Sequence, residues 1–152
     1  MQLVRIERPG QQLEDAKALL VEYWRSFGFT PCFQGFDQEL AALPGDYSPP
    51  RGALLLAPGQ GLVAVRPLDA KTAEMKRLYL RPQARGAGLG RSLAAAAVAH
   101  ARESGFSRLV LDTIPERMEE AVALYRSMGF RDAAPYLPQP TPGALCLELT
   151  LR

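Results

Sequence analysis

The chain has 152 residues, a formal net charge of +2 at pH 7 and 47% hydrophobic residues. A domain of this length buries roughly 70% of its unfolded surface, so we expect one domain that spans residues 1–152. The nearly balanced charge argues against a nucleic-acid or membrane-surface partner. No apolar run approaches the roughly 20 residues of a membrane span, and residues 1–10 hold no apolar run long enough for a signal peptide.

The two cysteines, Cys32 and Cys146, lie far apart and match neither a disulfide framework nor a metal-ligand spacing. We therefore expect a cytoplasmic protein, because the reducing cytosol keeps thiols free, and we expect no bound metal. The only histidine, His100, falls within a predicted helix and has no cysteine or carboxylate at ligand spacing. It is predicted to have a surface or packing role.

Hydrophobic periodicity and breaker residues predict alternating strands and helices. A short strand at 3–6 precedes an amphipathic helix that begins at Gln11 and must end at Gly28 and Pro31. The proline- and glycine-rich segment 43–52 is predicted to be a surface connection. The other predicted elements are a helix at 37–43, a hairpin of 53–57 and 62–65, a strand at 73–80, a helix at 89–104, a strand at 108–113, a helix at 117–128 and a strand at 144–151.

A glycine-rich loop joins the predicted strand at 73–80 to the alanine-rich helix that follows it. Gly86, Gly88 and Gly90 carry no side chains, so several backbone N–H groups can turn toward one point. The first turn of the helix adds N–H groups without partners and the positive end of the helix dipole. The sequence therefore predicts a site for a phosphate or pyrophosphate group.

Three kinds of phosphate-binding loop compete for this stretch. The loop of nucleoside triphosphatases requires GxxxxGK[ST], and its lysine and first glycine are missing here. A dinucleotide-binding loop is matched by Gly86 and Gly88, with Asp112 at the end of a later strand, but the third glycine position holds Arg91. Predicted antiparallel strands also precede the loop, where a dinucleotide-binding unit would begin with a parallel βαβ unit.

The third pattern, Q/R-x-x-G-x-G/A, is matched from Arg85 to Gly90, and ALYRSMGF at 123–130 is similar to a helix-turn segment of the same family. With these motifs and this order of elements, the chain resembles the GCN5-related N-acetyltransferases (GNAT) along nearly its whole length. The resemblance implies an α/β fold with a mixed, mostly antiparallel central sheet flanked by helices. It further implies acetyl-CoA as the acyl donor and a small-molecule or peptide amine as the acceptor.

The resemblance also implies where acetyl-CoA binds. The glycine loop would hold its pyrophosphate, and the main chain at the end of the preceding strand would contact its pantetheine arm, with a bulge expected in that strand. Met118 departs from the family, because many members carry an asparagine there that touches the arm. The implied cofactor-binding residues are Leu78, Tyr79, Leu80, Arg85, Gly86, Ala87, Gly88, Leu89, Gly90, Arg91, Ser92 and Arg126.

Two catalytic residues are implied in the same way. Glu74 stands where family members that use a strand glutamate carry their general base, and its structural alternative is an exposed glutamate paired with Lys76. Tyr125 would donate a proton to the leaving thiolate, and its alternative is a core tyrosine. Phe33 and Tyr136 are predicted to line the acceptor pocket.

Two further possibilities follow from the fold class. Because a cofactor loop does not guarantee an acceptor site, the alternative function is a non-catalytic acyl-CoA-binding or sensing module of the same fold. An exposed terminal strand could pair across a homodimer. The identity of the acceptor amine is not encoded in any pattern of the sequence.

Overall fold

The computed structural model describes residues 3–26, 35–115, 119–138 and 142–151, which form one mixed sheet with helices on both faces. The strands are β1 (Val4–Arg5), β2 (Ala53–Ala57), β3 (Gly61–Pro67), β4 (Thr72–Leu80), β5 (Arg108–Thr113), β6 (Arg131–Asp132) and β7 (Leu145–Thr150). The α-helices are α1 (Gln11–Ser26), α2 (Phe36–Ala42), α3 (Leu89–Glu103) and α4 (Glu119–Ser127). None of the described helices is long and apolar enough to cross a membrane.

The strand order across the sheet is β1-β2-β3-β4-β5-β7-β6. Neighbouring strands are antiparallel except for β4 and β5, which are parallel and joined through α3. The predicted mixed, mostly antiparallel sheet is therefore confirmed. The last strand, β7, lies between β5 and β6, whereas the first strand, β1, is at an edge of the sheet, so a homodimer that pairs through a terminal strand stays a prediction.

Strand β4 contains the expected bulge. Leu62 pairs with Tyr79 while Ala64 pairs with Lys76, so β4 holds one more residue than β3 between these pairs. The bulge includes Arg77, which has a φ of 63°, an uncommon conformation for a residue other than glycine. A bulge bends its strand and redirects the side chains around it.

The parallel pairing of β4 with β5 ends early. Its last pair is Glu74 with Val110, although β4 continues to Leu80 and β5 continues to Thr113. The two strands therefore separate at the end of the sheet that lies next to the glycine loop. This opening leaves main-chain groups of β4 without partners on the β5 side.

Two apolar clusters cover the two faces of the sheet. The first cluster packs α3, Tyr125 and Phe130 against residues from β2, β3, β4, β5 and β7. The second cluster packs α1 and α2 against residues from β2, β3 and β4. Among the residues that the structure describes, the second cluster includes none from β5 or β7. On that face, β4, β5 and β7 lie beside α1 and α2 rather than beneath them, and we call this part of the sheet the trough. It is partly covered, because Glu74 and Val110 on this face are both 0% exposed.

The segment predicted as a surface connection is partly buried. It forms a 3-10 turn at Gly45–Tyr47, and the Tyr47 side chain, 3% exposed, belongs to the second cluster. Its hydroxyl donates a hydrogen bond to Glu39 at 3.1 Å. Prolines and glycines exclude long regular elements here, but they do not prevent a short turn from placing one aromatic ring in the core.

His100 is a buried packing residue on α3, as the sequence predicts. Its Nδ1 accepts a hydrogen bond from Arg5 at 2.8 Å, and its Nε2 donates one to the carbonyl of Arg51 at 2.7 Å. This assignment of donor and acceptor requires the neutral ring. Burial lowers the pKa of His100, and the positive charge of Arg5 lowers it further.

The hydrogen-bonded, neutral ring of His100 should stabilise the fold at neutral pH, and we expect this stabilisation to be lost in acid. Because the pKa of folded His100 lies below its unfolded value of about 6.5, its contribution is complete above that pH and is lost as the pH falls through the folded value. Denaturant unfolding of the wild type and of His100→Gln between pH 8 and pH 5 tests this. The difference between their free energies of unfolding should shrink toward pH 5, and a difference that is constant with pH would contradict the prediction.

Candidate active site

The glycine loop presents backbone N–H groups to open space. Gly86 and Gly88 have φ values of 88° and 82°, and a Cβ built on either would meet nothing within 4 Å. Gly88 is the N-cap of α3, so the first N–H groups of that helix point out of the loop. Such an open, positively polarised cradle suits a phosphate group, and it fits the pyrophosphate of an acyl-CoA.

Three arginines around the loop already have protein partners. Arg85 donates from Nε and Nη2 to the carbonyl of Leu80 at 3.1 and 2.9 Å. Arg91 donates to the hydroxyl of Ser127 at 2.6 Å, and Arg126 pairs with Asp132 at 2.8 Å. A guanidinium group has five N–H donors, so each of these exposed side chains retains donors for an anion.

The end of β4 offers main-chain groups rather than side chains. Leu78 and Leu80 direct their partly buried side chains into the first cluster. The Tyr79 side chain points to the other face, where its hydroxyl donates to Glu22 at 3.3 Å. The edge of β4 beyond Glu74 meets no ladder partner on β5, and it is therefore available to amide groups of a ligand such as pantetheine.

Glu74 lies at the base of the opening, and its side chain is 0% exposed. The guanidinium of Arg66 donates to its Oε1 at 2.7 Å, and the hydroxyl of Tyr136 donates to its Oε2 at 2.5 Å. Lys76 shares its face but lies at 3.9 Å from Oε1. The structural alternative of an exposed glutamate paired mainly with Lys76 is therefore wrong.

Tyr136 lies in the segment after β6, which folds back over β7, so that its half-buried side chain reaches Glu74. Burial raises the pKa of Tyr136, and the charge of Glu74 raises it further. The phenol is thus held in its protonated, donating form. The neighbour that the sequence interpretation missed is Arg66, although the register of the β3–β4 hairpin pairs it directly with Glu74.

Tyr125 extends from α4 into the first cluster and is 4% exposed. Its ring lies 5.7 Å from that of Phe130. Burial raises the pKa of Tyr125, so its phenol stays protonated.

The bulge in β4 contributes to a second, partly buried ion pair that no sequence pattern indicated. Arg77 donates to both carboxylate oxygens of Glu39 on α2, at 3.0 and 2.7 Å. Its guanidinium lies 5.2 Å from the ring centre of Phe36 and 5.8 Å from that of Trp24. The pair ties α2 to the bulge and neutralises both charges, so it stabilises the uncommon backbone conformation of Arg77.

Three residues considered in the sequence analysis lie outside the described residues. They are Phe33, which was predicted to line the acceptor pocket, Met118 at the departure from the family pattern, and Cys32. Among the residues that the structure describes, no group of three or more histidine, cysteine, aspartate or glutamate side chains could hold a metal ion.

The opening between two parallel strands, with a glycine-loop anion cradle at its mouth, defines an acyl-CoA-dependent transferase scaffold. Solved structures share this fold. An acetyltransferase from Streptococcus agalactiae superposes with a TM-score of 0.79 at 21% identity, covering 98% of this chain and 97% of that one. An acetyltransferase from Salmonella typhimurium, solved with its cofactor acetyl-CoA, gives a TM-score of 0.68 at 19% identity, covering 100% and 95% of the two chains.

The sequence profile of the Acetyltransferase (GNAT) family matches residues 17–130. An uncharacterized N-acetyltransferase of Schizosaccharomyces pombe is 39% identical over 147 residues, covering 93% of this chain and 90% of that protein. The chain therefore belongs to the acetyltransferase (GNAT) family. The predicted fold class and the predicted enzyme class, an N-acetyltransferase, are confirmed with it.

Proposed function

We propose that this chain transfers the acetyl group of acetyl-CoA directly to the amine of a small-molecule or peptide acceptor. The observation that carries the proposal is the opening between β4 and β5, with Glu74 beside it on one face of the sheet and Tyr125 on the other. A non-catalytic binding module would not require the carboxylate of Glu74 and the hydroxyl of Tyr136 to meet beside the opening. The similar protein from Schizosaccharomyces pombe is named an N-acetyltransferase, which also favours the catalytic function.

The cofactor would be held mainly by the main chain. The N–H groups of the glycine loop and of the first turn of α3 would bind the pyrophosphate, and the free edge of β4 at Leu78–Leu80 would bind the pantetheine amides. The exposed side chains of Arg85, Arg91, Ser92 and Arg126 would add contacts to phosphate groups. The related structure solved with acetyl-CoA supports this choice of ligand.

When bound, acetyl-CoA supplies a thioester whose acetyl carbon bonds to the amine nitrogen while its bond to sulfur breaks. Glu74 is buried, so it would take a proton from the acceptor through the hydroxyl of Tyr136. Tyr136 accepts the ammonium proton as it gives its own to Oε2 of Glu74. Glu74 has no contact with solvent, so its proton later returns through Tyr136, which releases one to water. Tyr125 gives its proton to the departing sulfur and regains one from the acylated nitrogen.

The direct test of this function is the release of free thiol from acetyl-CoA in the presence of a panel of amines, with mass spectrometry of the acetylated product. Thiol release that depends on an amine and yields its acetylated form supports the proposal. Tight binding of CoA by calorimetry, together with no product from any amine, would favour the non-catalytic module.

Gly88→Ala is expected to weaken CoA binding about tenfold, which corresponds to about 1.4 kcal/mol. The added Cβ would occupy the open space into which the loop directs its N–H groups, and alanine is strained at the φ of 82° found there. Isothermal titration calorimetry with CoA measures the change.

Gly59→Ala is the matched control, because Gly59 has a φ of 72° and equally open surroundings, but it lies in the turn between β2 and β3. Both variants should lose about 1 kcal/mol of stability, whereas only Gly88→Ala should lose CoA affinity. Equal CoA affinity in the two variants would argue against the loop as the pyrophosphate site.

A further inference from the structure

Two oppositely charged side chains lie in the trough, just beyond the last pair of β4 and β5. On β5, Leu109 and Leu111 belong to the first cluster, so Asp112 points to the opposite face. Lys76 lies on this same face of β4, as its contact with Glu74 shows. The Glu74–Val110 register, extended by two residues, would bring Lys76 opposite Asp112, but the strands have separated there.

The other charged groups on this face are matched in pairs. Arg66 pairs with Glu74, Arg77 with Glu39, and Arg108 with Glu148. Lys76 has only the 3.9 Å contact with Oε1 of Glu74, the oxygen that Arg66 already holds at 2.7 Å. No basic side chain of the described segments lies within ion-pair distance of the Asp112 carboxylate.

Both charges are costly in this environment, because neither has a close oppositely charged partner among the described side chains. The Lys76 side chain is 19% exposed, and burial lowers its pKa, with the neighbouring charge of Arg77 adding to the effect. Burial raises the pKa of Asp112, and Glu74 raises it further. An opposite charge brought by a ligand would relieve each of them. The charge of Lys76 lowers the pKa of Asp112, but the two described side chains form no direct ion pair. A molecule with both charges could therefore bridge them.

We propose that the acceptor is a zwitterion, an α-amino acid or similar small aminocarboxylate, whose ammonium group binds Asp112 and whose carboxylate binds Lys76. This proposal rests on the proposed function and names the substrate class of the same site. A simple amine would satisfy only Asp112, and a polyamine would place a second cation near Lys76. The zwitterion alone matches both charges, and Asp112 would hold its amine on the face where Tyr136 meets Glu74.

Acceptors that share a side chain but differ in charge test this proposal. L-Phenylalanine, L-phenylalaninamide and 2-phenylethylamine form one such set, and an alanine set and a leucine set allow for other side-chain preferences. In at least one set, kcat/KM for the amino acid should exceed that for its amide and its amine by at least about tenfold, as expected for a charged hydrogen bond. Equal values within every set that turns over would overturn the proposal.

Two substitutions test which side chain binds the carboxylate and which binds the ammonium group of the acceptor. Lys76→Met should abolish the preference for the amino acid over its amide, whereas Asp112→Asn should raise KM at least about tenfold for all three acceptors of a set. The controls are Lys71→Met and Asp37→Asn, which change exposed side chains away from the trough and should retain the wild-type pattern. A Lys76→Met enzyme that still prefers the amino acid would overturn the assignment of Lys76.

Thermal stabilisation measured with CoA and an amino acid together separates this proposal from the proposed function, because it requires no turnover. The wild type should be stabilised by the amino acid and not by its amide, and Lys76→Met should lose this difference. If no amine is acetylated but this pattern holds, the proposed function fails while the zwitterion site stands. If amines are acetylated without regard to a carboxylate, only the zwitterion site fails.

Discussion

Glu74→Gln is expected to lower kcat/KM at least about 100-fold, the usual contribution of a general base, while CoA affinity is retained. Glutamine keeps the shape of the side chain but cannot receive the proton that Tyr136 would pass on. In the structure, the carboxylate accepts from Arg66 and Tyr136 and has no contact with solvent. The effect therefore should fall on the chemical step and not on cofactor binding.

The pH profile and a double variant make this test specific. The acid limb of the kcat/KM profile should change in Glu74→Gln, and an unchanged profile would remove Glu74 from the mechanism. Tyr136→Phe should cause a similar loss, and the double variant should be little worse than either single one, because both residues serve one proton path. Additive losses would show that Tyr136 and Glu74 act separately.

Glu148→Gln is the control for loss of a carboxylate on the same face. Glu148 also pairs with an arginine, Arg108, but it is more exposed and lies away from the opening. It should retain wild-type turnover. Since removal of Glu74 leaves Arg66 without its main partner, the free energy of unfolding of each variant should be measured, and activities compared below the onset of unfolding.

Tyr125→Phe is expected to lower kcat about 100-fold, with the Kd for CoA nearly unchanged. Burial raises the pKa of Tyr125, so its phenol stays protonated and can act only as a donor at neutral pH. Phenylalanine keeps the ring that packs against Phe130 but has no proton for the departing sulfur. Steady-state kinetics and CoA calorimetry on the same preparation separate a role of Tyr125 in proton donation from a role in cofactor binding.

Tyr47→Phe is the matched control, because Tyr47 is equally buried and also has a raised pKa, but its hydroxyl donates to Glu39 on the other face of the sheet. It should lose about 1 kcal/mol of stability through the missing hydrogen bond and retain turnover. Full turnover by Tyr125→Phe would assign Tyr125 to packing alone, the alternative that its apolar surroundings allow.

The family, the order of elements and the open glycine loop were predictable from the sequence. These depend on local features: alternation in strands, three- and four-residue spacing in helices, and glycines where the backbone must adopt a positive φ, as at Gly86 and Gly88. The bulge in β4 was expected from the resemblance, and the register with β3 confirms it. Such features need no knowledge of distant partners.

The pairing of the charged groups depends on contacts between distant parts of the chain and could not be predicted from the sequence. Tyr136 reaches Glu74 across 62 residues of sequence, and Arg77 reaches Glu39 across 38. Whether Glu74 was exposed or buried, and whether the last strand was an edge, depended on which strands pair at long range. The lack of a close partner for Lys76 and for Asp112 among the described side chains could be recognised only from the structure, because charge compensation is a property of distances in space and not of spacing along the chain.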